Sequence, residues 1–201
     1  MNFITPLAIA YVLGSVPFGW LLARAAKLGD IRDIGSGNIG ATNVLRTGRR
    51  GLALLTLTLD SAKGAAAVML AAHFYPGLEQ FAALAAVAGH MFPVWLRFKG
   101  GKGVATSFGA LSALAWPVAL AAAAVWLAMA YVFRYSSLSA LTASALSPFF
   151  AFAFGYRSTV WLTTTLAVLI FLRHKKNIRR LMDGTETKIG QKKKHAGPPP
   201  A

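Results

Sequence analysis

Long apolar runs separated by short basic loops dominate this sequence, and no other feature narrows its fold as far. Residues from about 3 to 23 are almost all apolar, enough for a helix to cross the roughly 30 Å hydrocarbon core of a bilayer. Further runs extend from Gly51 to His73, Phe81 to Leu96, Val104 to Phe133, Ser139 to Gly155 and Thr159 to Leu172. With 56% of its 201 residues hydrophobic and 13% charged, the chain is too apolar for a soluble domain of this size. An all-α integral membrane protein follows.

Lys and Arg number 21 against 6 Asp and Glu, a net charge of +15. The excess lies between and after the apolar runs, which fits a positive-inside topology better than a nucleic-acid partner. Arg24, Lys27, Arg32, Arg46, Arg49 and Arg50 place the first loop in the cytoplasm and the N-terminus outside. Tyr75-Pro76-Gly77 lacks Lys and Arg and fits the outer face, and the loop from Arg97 to Gly103 is inside again. The run from Val104 to Phe133 is too long for one span and short for two. Two spans hinged at Pro117 keep both Arg134 and the basic tail in the cytoplasm. About seven transmembrane helices result, N-terminus outside and C-terminus cytoplasmic. Met1 to Pro6 has no charged n-region, so the first segment is expected to remain as a span. Pro17 is expected to kink it. Residues 1–190 read as one transmembrane domain and 191–201 as a basic, proline-rich, disordered tail.

Inside the second run Asp60 and Lys63 lie at i and i+3, where each can neutralise the other in a medium hostile to lone charge. They read first as an ion pair fixing helix packing, and His90 likewise as structural; His73 and His195 read as bystanders. There is no cysteine, hence no disulfide, thiol nucleophile or thiolate metal site. Carboxylates are too sparse for a two-metal site, and H-E-x-x-H and G-x-S-x-G are absent. No His has an Asp five positions on, which removes the common acyltransferase dyad. No metal and no cofactor are expected.

Three polar stretches carry the chemistry. Gly35-Ser36-Gly37-Asn38-Ile39-Gly40-Ala41-Thr42-Asn43, closed by Arg46, can turn backbone N–H groups toward an anion and add neutral donors, as a phosphate cradle does. A flexible turn between helices is the competing reading. The second stretch, Lys99-Gly100-Gly101-Lys102-Gly103, surrounds one ammonium with glycines and lacks the spacing of a Walker A loop. Lysines facing lipid headgroups explain Lys99 better than Lys102, because that reading leaves the glycines on both sides of Lys102 without a use, whereas an anionic oxygen held by one ammonium and several backbone N–H groups gives them one. In the third, His174 and Asn177 share a helix face, both can donate to phosphate oxygens, and His174 is a candidate general base.

Together these stretches resemble the three signatures of the bacterial acyl-phosphate:glycerol-3-phosphate acyltransferases. Ser15-Val16-Pro17-Phe18-Gly19, Leu59-Asp60-Ser61-Ala62-Lys63-Gly64 and Gly89-His90-Met91-Phe92-Pro93 extend the resemblance over nearly the whole chain. It implies a multi-pass enzyme of the bacterial cytoplasmic (inner) membrane that moves a fatty acyl group from acyl phosphate to the sn-1 hydroxyl of glycerol 3-phosphate. Lysophosphatidate and inorganic phosphate would be the products. By motif match Arg46, Lys102, His174 and Asn177 would hold the glycerol 3-phosphate phosphate, with Ser139 beside Arg134. Ser36 and the adjacent loop, with Gly37, Asn38, Thr42 and Asn43, would hold acyl phosphate. Ser36 and His174 are the catalytic candidates, and either His174 or a substrate phosphate oxygen takes the acceptor proton. Membrane lipids are the remaining partner. A small transporter for a phosphorylated metabolite is the rival class, weakened because the polar loops all fall on one face; a structural membrane subunit leaves the loops unexplained.

Overall fold

A computed structural model describes residues 3–33 and 37–191. Ser36, with Gly35, lies outside the described residues, as does the tail beyond Gln191. Among the described residues the structure is helical: α1 (Ile4–Ser15), α2 (Phe18–Ala25), α3 (Ala41–Leu45), α4 (Arg50–Phe74), α5 (Glu79–Met91), α6 (Val104–Leu114), α7 (Trp116–Phe133), α8 (Ser136–Ala153), α9 (Val160–Arg173) and α10 (Lys175–Met182). Short 3-10 turns at Ile31–Asp33, Val94–Leu96 and Arg157–Thr159 join them. Among the described residues four segments are long and apolar enough to cross a membrane: Ile4–Ala25, Arg50–Phe74, Trp116–Phe133 and Ser136–Ala153. Helices α5, α6 and α9, of 13, 11 and 14 residues, rise only about 1.5 Å per residue and are each shorter than a straight crossing.

Proline chemistry explains three features. Val16-Pro17 splits the first apolar run into α1 and α2, because proline supplies no N–H and crowds the preceding turn. The expected hinge in the run from Val104 to Phe133 is present but sits at Ala115, which has extended geometry (φ −154°). Pro117 instead occupies the first turn of α7, where its missing N–H would have had no partner anyway. Inside α8, Pro148 cannot donate to the Ser144 carbonyl, and the Ser147 hydroxyl does so instead at 2.8 Å.

Lipid gives helices no hydrophobic reason to associate, so packing rests on close backbone approach. Gly14 and Gly89 bring α1 against α5, meeting the backbones of Ala86 and Tyr11, while Gly64 and Gly109 bring α4 against α6, meeting Thr106 and Ser61. Val68, Val87, Met91, Leu162, Leu166 and Ile170 fill the centre between α4, α5 and α9. Large apolar side chains such as Leu54, Met69, Leu120, Phe149 and Leu172 face outward, as lipid-facing residues should.

The Asp60–Lys63 pair forms at 2.8 Å with both side chains buried, as the spacing implied. Lys63 Nζ also donates to the Val16 carbonyl at 2.8 Å, satisfying an acceptor at the Pro17 break. His90 Nδ1 lies 3.6 Å from Asp60. One buried cluster therefore ties α4 to α5 and to the α1–α2 break.

Candidate active site

All three polar stretches border a single cavity of about 1630 Å³. The first contributes Asn38, Thr42, Asn43 and Arg46, the second Lys102 and Gly103, the third His174, Asn177 and Glu186. Asp60, His90 and Ser107 also line it, and Phe108, Leu111, Trp126, Leu127 and Leu166 supply an apolar wall.

The first stretch enters α3 through Gly40, whose extended backbone precedes the helix. Asn43 is buried, and its side-chain amide donates to the Ile31 carbonyl at 2.8 Å, so part of its task is to hold the loop. Its Oδ1 faces Arg46 at 3.5 Å. The Thr42 and Ser136 hydroxyls are 3.0 Å apart, joining this loop to α8. Gly37, at φ +70°, packs near the Arg32 carbonyl and is not part of the cavity wall. Burial lowers Arg46 from its usual range, opposed by the Glu186 charge, and a guanidinium so placed keeps its proton.

In the second stretch the glycines have a structural use. Gly100 and Gly101 N–H groups donate to the Met91 and His90 carbonyls at 3.2 and 3.0 Å. A side chain on Gly101 would collide with the His90 ring, and one on Gly100 with the His90 carbonyl and Pro93. The loop thus lies flat on the end of α5 and presents Lys102, whose Nζ reaches Asn177 Oδ1 at 2.5 Å. Burial, aided by the charges of Arg180, Arg46 and Arg173 and opposed by Glu186, pushes the Lys102 ammonium down to about 8.

His174 sits between α9 and α10 and is buried. Its Nδ1 is 2.8 Å from the Ile170 carbonyl; a carbonyl only accepts, so Nδ1 carries the proton and Nε2 is left as an acceptor. Burial and the Lys102 charge push His174 down to about 4. With Nδ1 so engaged, Nε2 accepts when the ring is neutral and donates only when the ring is protonated.

Glu186 was not singled out by sequence, yet it organises the third stretch. Its Oε1 accepts from Asn177 Nδ2 at 2.6 Å and from the Ser137 hydroxyl at 2.8 Å, and its Oε2 from Arg180 Nε at 2.6 Å. Burial pushes this carboxyl up, but the bonds from Asn177, Ser137 and Arg180 outweigh that and hold it below the usual carboxylate range. Asn177 is thereby fixed with Oδ1 toward Lys102. Ser139 is placed elsewhere: it is fully buried, donates to the Tyr135 carbonyl at 2.8 Å, and does not line the cavity. The α8 serines that line the cavity are Ser136, Ser137, Ser144 and Ser147. Among the described residues no group of three or more His, Cys, Asp or Glu is placed to hold a metal ion.

The cavity of this helical protein thus combines cationic and amide donors with an apolar wall. Residues 4–184 match the family model described as glycerol-3-phosphate acyltransferase. A glycerol-3-phosphate acyltransferase of Mesorhizobium japonicum is 57% identical over 94% of this chain and 97% of its own, and one of Rhodopseudomonas palustris 55% identical over 95% and 98%. The crystal structure of PlsY, an integral membrane glycerol 3-phosphate acyltransferase, superposes in its glycerol 3-phosphate form with a TM-score of 0.89 at 38% identity, covering 94% of this chain and 96% of that one. Its lysophosphatidic acid form gives 0.87 at 37% identity over the same shares. The chain belongs to the glycerol-3-phosphate acyltransferase family.

Proposed function

We propose that this protein transfers a fatty acyl group from acyl phosphate to the sn-1 hydroxyl of glycerol 3-phosphate, yielding lysophosphatidate and inorganic phosphate for phospholipid synthesis. The observation that carries the reading is the single cavity lined both by Arg46, Lys102 and Asn177 and by Phe108, Trp126 and Leu127. Two phosphates need the first and one acyl tail needs the second. Arg46, Lys102 and the Asn177 amide hold the acceptor phosphate; Ser36, Asn38 and Thr42 hold the donor.

The acceptor hydroxyl oxygen attacks the acyl carbonyl carbon, the bond from that carbon to the bridging phosphate oxygen breaks, and phosphate leaves with the electron pair. The donor is already activated, so orientation and a positive field supply the acceleration without a covalent enzyme intermediate. His174, at about 4, is a poorer base than a phosphate dianion, whose second pKa is about 6. The hydroxyl proton therefore passes to a substrate phosphate oxygen, while His174 Nε2 accepts a hydrogen bond that orients the glycerol. The enzyme lies in the bacterial inner membrane with seven crossings, N-terminus out and C-terminus in. Reporters at Gly77 and Gly155 then read outside and those at Gly48 and Gly100 inside; the reverse pattern overturns the topology.

Purified protein given acyl phosphate should release inorganic phosphate only when glycerol 3-phosphate is present, one equivalent per lysophosphatidate formed, with or without EDTA. Release that ignores the acceptor, or activity lost to chelator and restored by Mg²⁺, overturns this reading.

A further inference from the structure

Arg173, the last residue of α9, does not line the cavity and has no part in the chemistry above. Its guanidinium donates through Nε to the Gly101 carbonyl at 3.1 Å and through Nη2 to the Gly100 carbonyl at 2.8 Å. It also lies over the Phe92 ring, 5.2 Å from the centroid. The N–H groups of the same two glycines are taken by His90 and Met91 on α5. Both edges of the peptide units preceding Lys102 are thus fixed, one by α5 and the other by Arg173.

That arrangement matters because a lysine side chain is long and rotatable, and where its ammonium goes depends on where its backbone starts. With Gly100 and Gly101 held, Lys102 Nζ meets Asn177 Oδ1. An arginine ending a helix would ordinarily serve that helix's own last carbonyls or reach for the membrane surface. Arg173 instead spends two donors on a loop more than seventy residues away in sequence. Both donors of the fork go to backbone carbonyls of one loop, which is a geometric task.

We propose that Arg173 is a positioning residue for the acceptor-phosphate site, acting through the Gly100–Gly101 carbonyls to set Lys102, and not by touching substrate. The proposal rests on the reading of Lys102 as a ligand of the glycerol 3-phosphate phosphate.

The test is a double-mutant cycle between Arg173→Gln and Lys102→Met on protein shown to be monodisperse in detergent, with both Michaelis constants measured. Arg173→Gln should raise KM for glycerol 3-phosphate about tenfold, the size expected for a displaced charged donor, and leave KM for acyl phosphate within about twofold. In the Lys102→Met background it should change neither by more than about twofold. Arg173→Lys keeps the charge but lacks the rigid planar fork that holds two carbonyls in a fixed register, so it should restore folding without restoring KM. Full rescue by lysine, an unchanged acceptor KM, or an Arg173→Gln effect that persists without Lys102 each overturns the proposal; should Arg173→Gln not fold, Arg173→Lys alone decides. If Lys102→Met leaves the acceptor KM unaltered, the acceptor-site reading itself falls.

Discussion

Lys102 is held half-buried among other cations, and its ammonium titrates at about 8, close enough to neutrality for activity to show it. Raising pH through that value discharges the free enzyme's Lys102 and removes a phosphate ligand. Lowering pH below about 6 protonates the substrate phosphate that receives the proton. We expect kcat/KM for glycerol 3-phosphate to rise near pH 6 and fall near pH 8, with kcat falling at higher pH because bound anion favours the ammonium. Lys102→Arg should abolish the fall in the alkaline limb, since a guanidinium stays charged; an alkaline limb unchanged in that variant would assign it to another group. Arg46, Lys102 and Asn177 could be singled out in the sequence because each sits in a short pattern with a chemical reason, and the fold brings all three to one cavity. Glu186 was not, because a single carboxylate in a basic stretch has no spacing that foretells its contact with Asn177. Ser139, expected at the site, lies off the cavity wall: helical residues turn about 100° apart, and which α8 hydroxyls face the cavity depends on the rotation of the packed helix, which sequence does not fix.

At the scale of elements, the break between α1 and α2 is secured from α4. Lys63 supplies both the counter-charge for Asp60 and a donor for the Val16 carbonyl. Removing one partner of a buried pair leaves an uncompensated charge and costs about 3–5 kcal/mol, whereas replacing both by apolar residues is often near neutral. Lys63→Met should therefore lower the thermal midpoint in detergent sharply, and Asp60→Leu/Lys63→Met should recover most of the loss. Failure of the double variant to recover would mean that the Val16 carbonyl, not the ion pair, dominates. Both charges were paired from their spacing alone, but the partner at Val16 was hidden, since a proline break announces itself without naming the donor that satisfies it. Gly100 and Gly101 show the converse. Their pattern suggested anion binding, while the fold uses them to lie against His90 and Met91.

For the whole molecule, packing by small residues holds short helices around one cavity, and loops distant in sequence converge on it. The apolar runs made the membrane class readable at once, whereas convergence is a property of helix packing that periodicity does not encode. The central claim is that Arg46, Lys102 and Asn177 act together on the acceptor phosphate, separately from the donor loop. Equilibrium binding of glycerol 3-phosphate to detergent-purified protein without acyl phosphate tests it directly. A lost hydrogen bond to a charged group costs about 1.5–3 kcal/mol, so Arg46→Ala and Asn177→Ala should each weaken binding by roughly tenfold or more. Ser36→Ala should leave that affinity within about twofold while lowering turnover. Wild-type affinity in folded Arg46→Ala and Asn177→Ala, or a loss of acceptor binding in Ser36→Ala, would contradict the account.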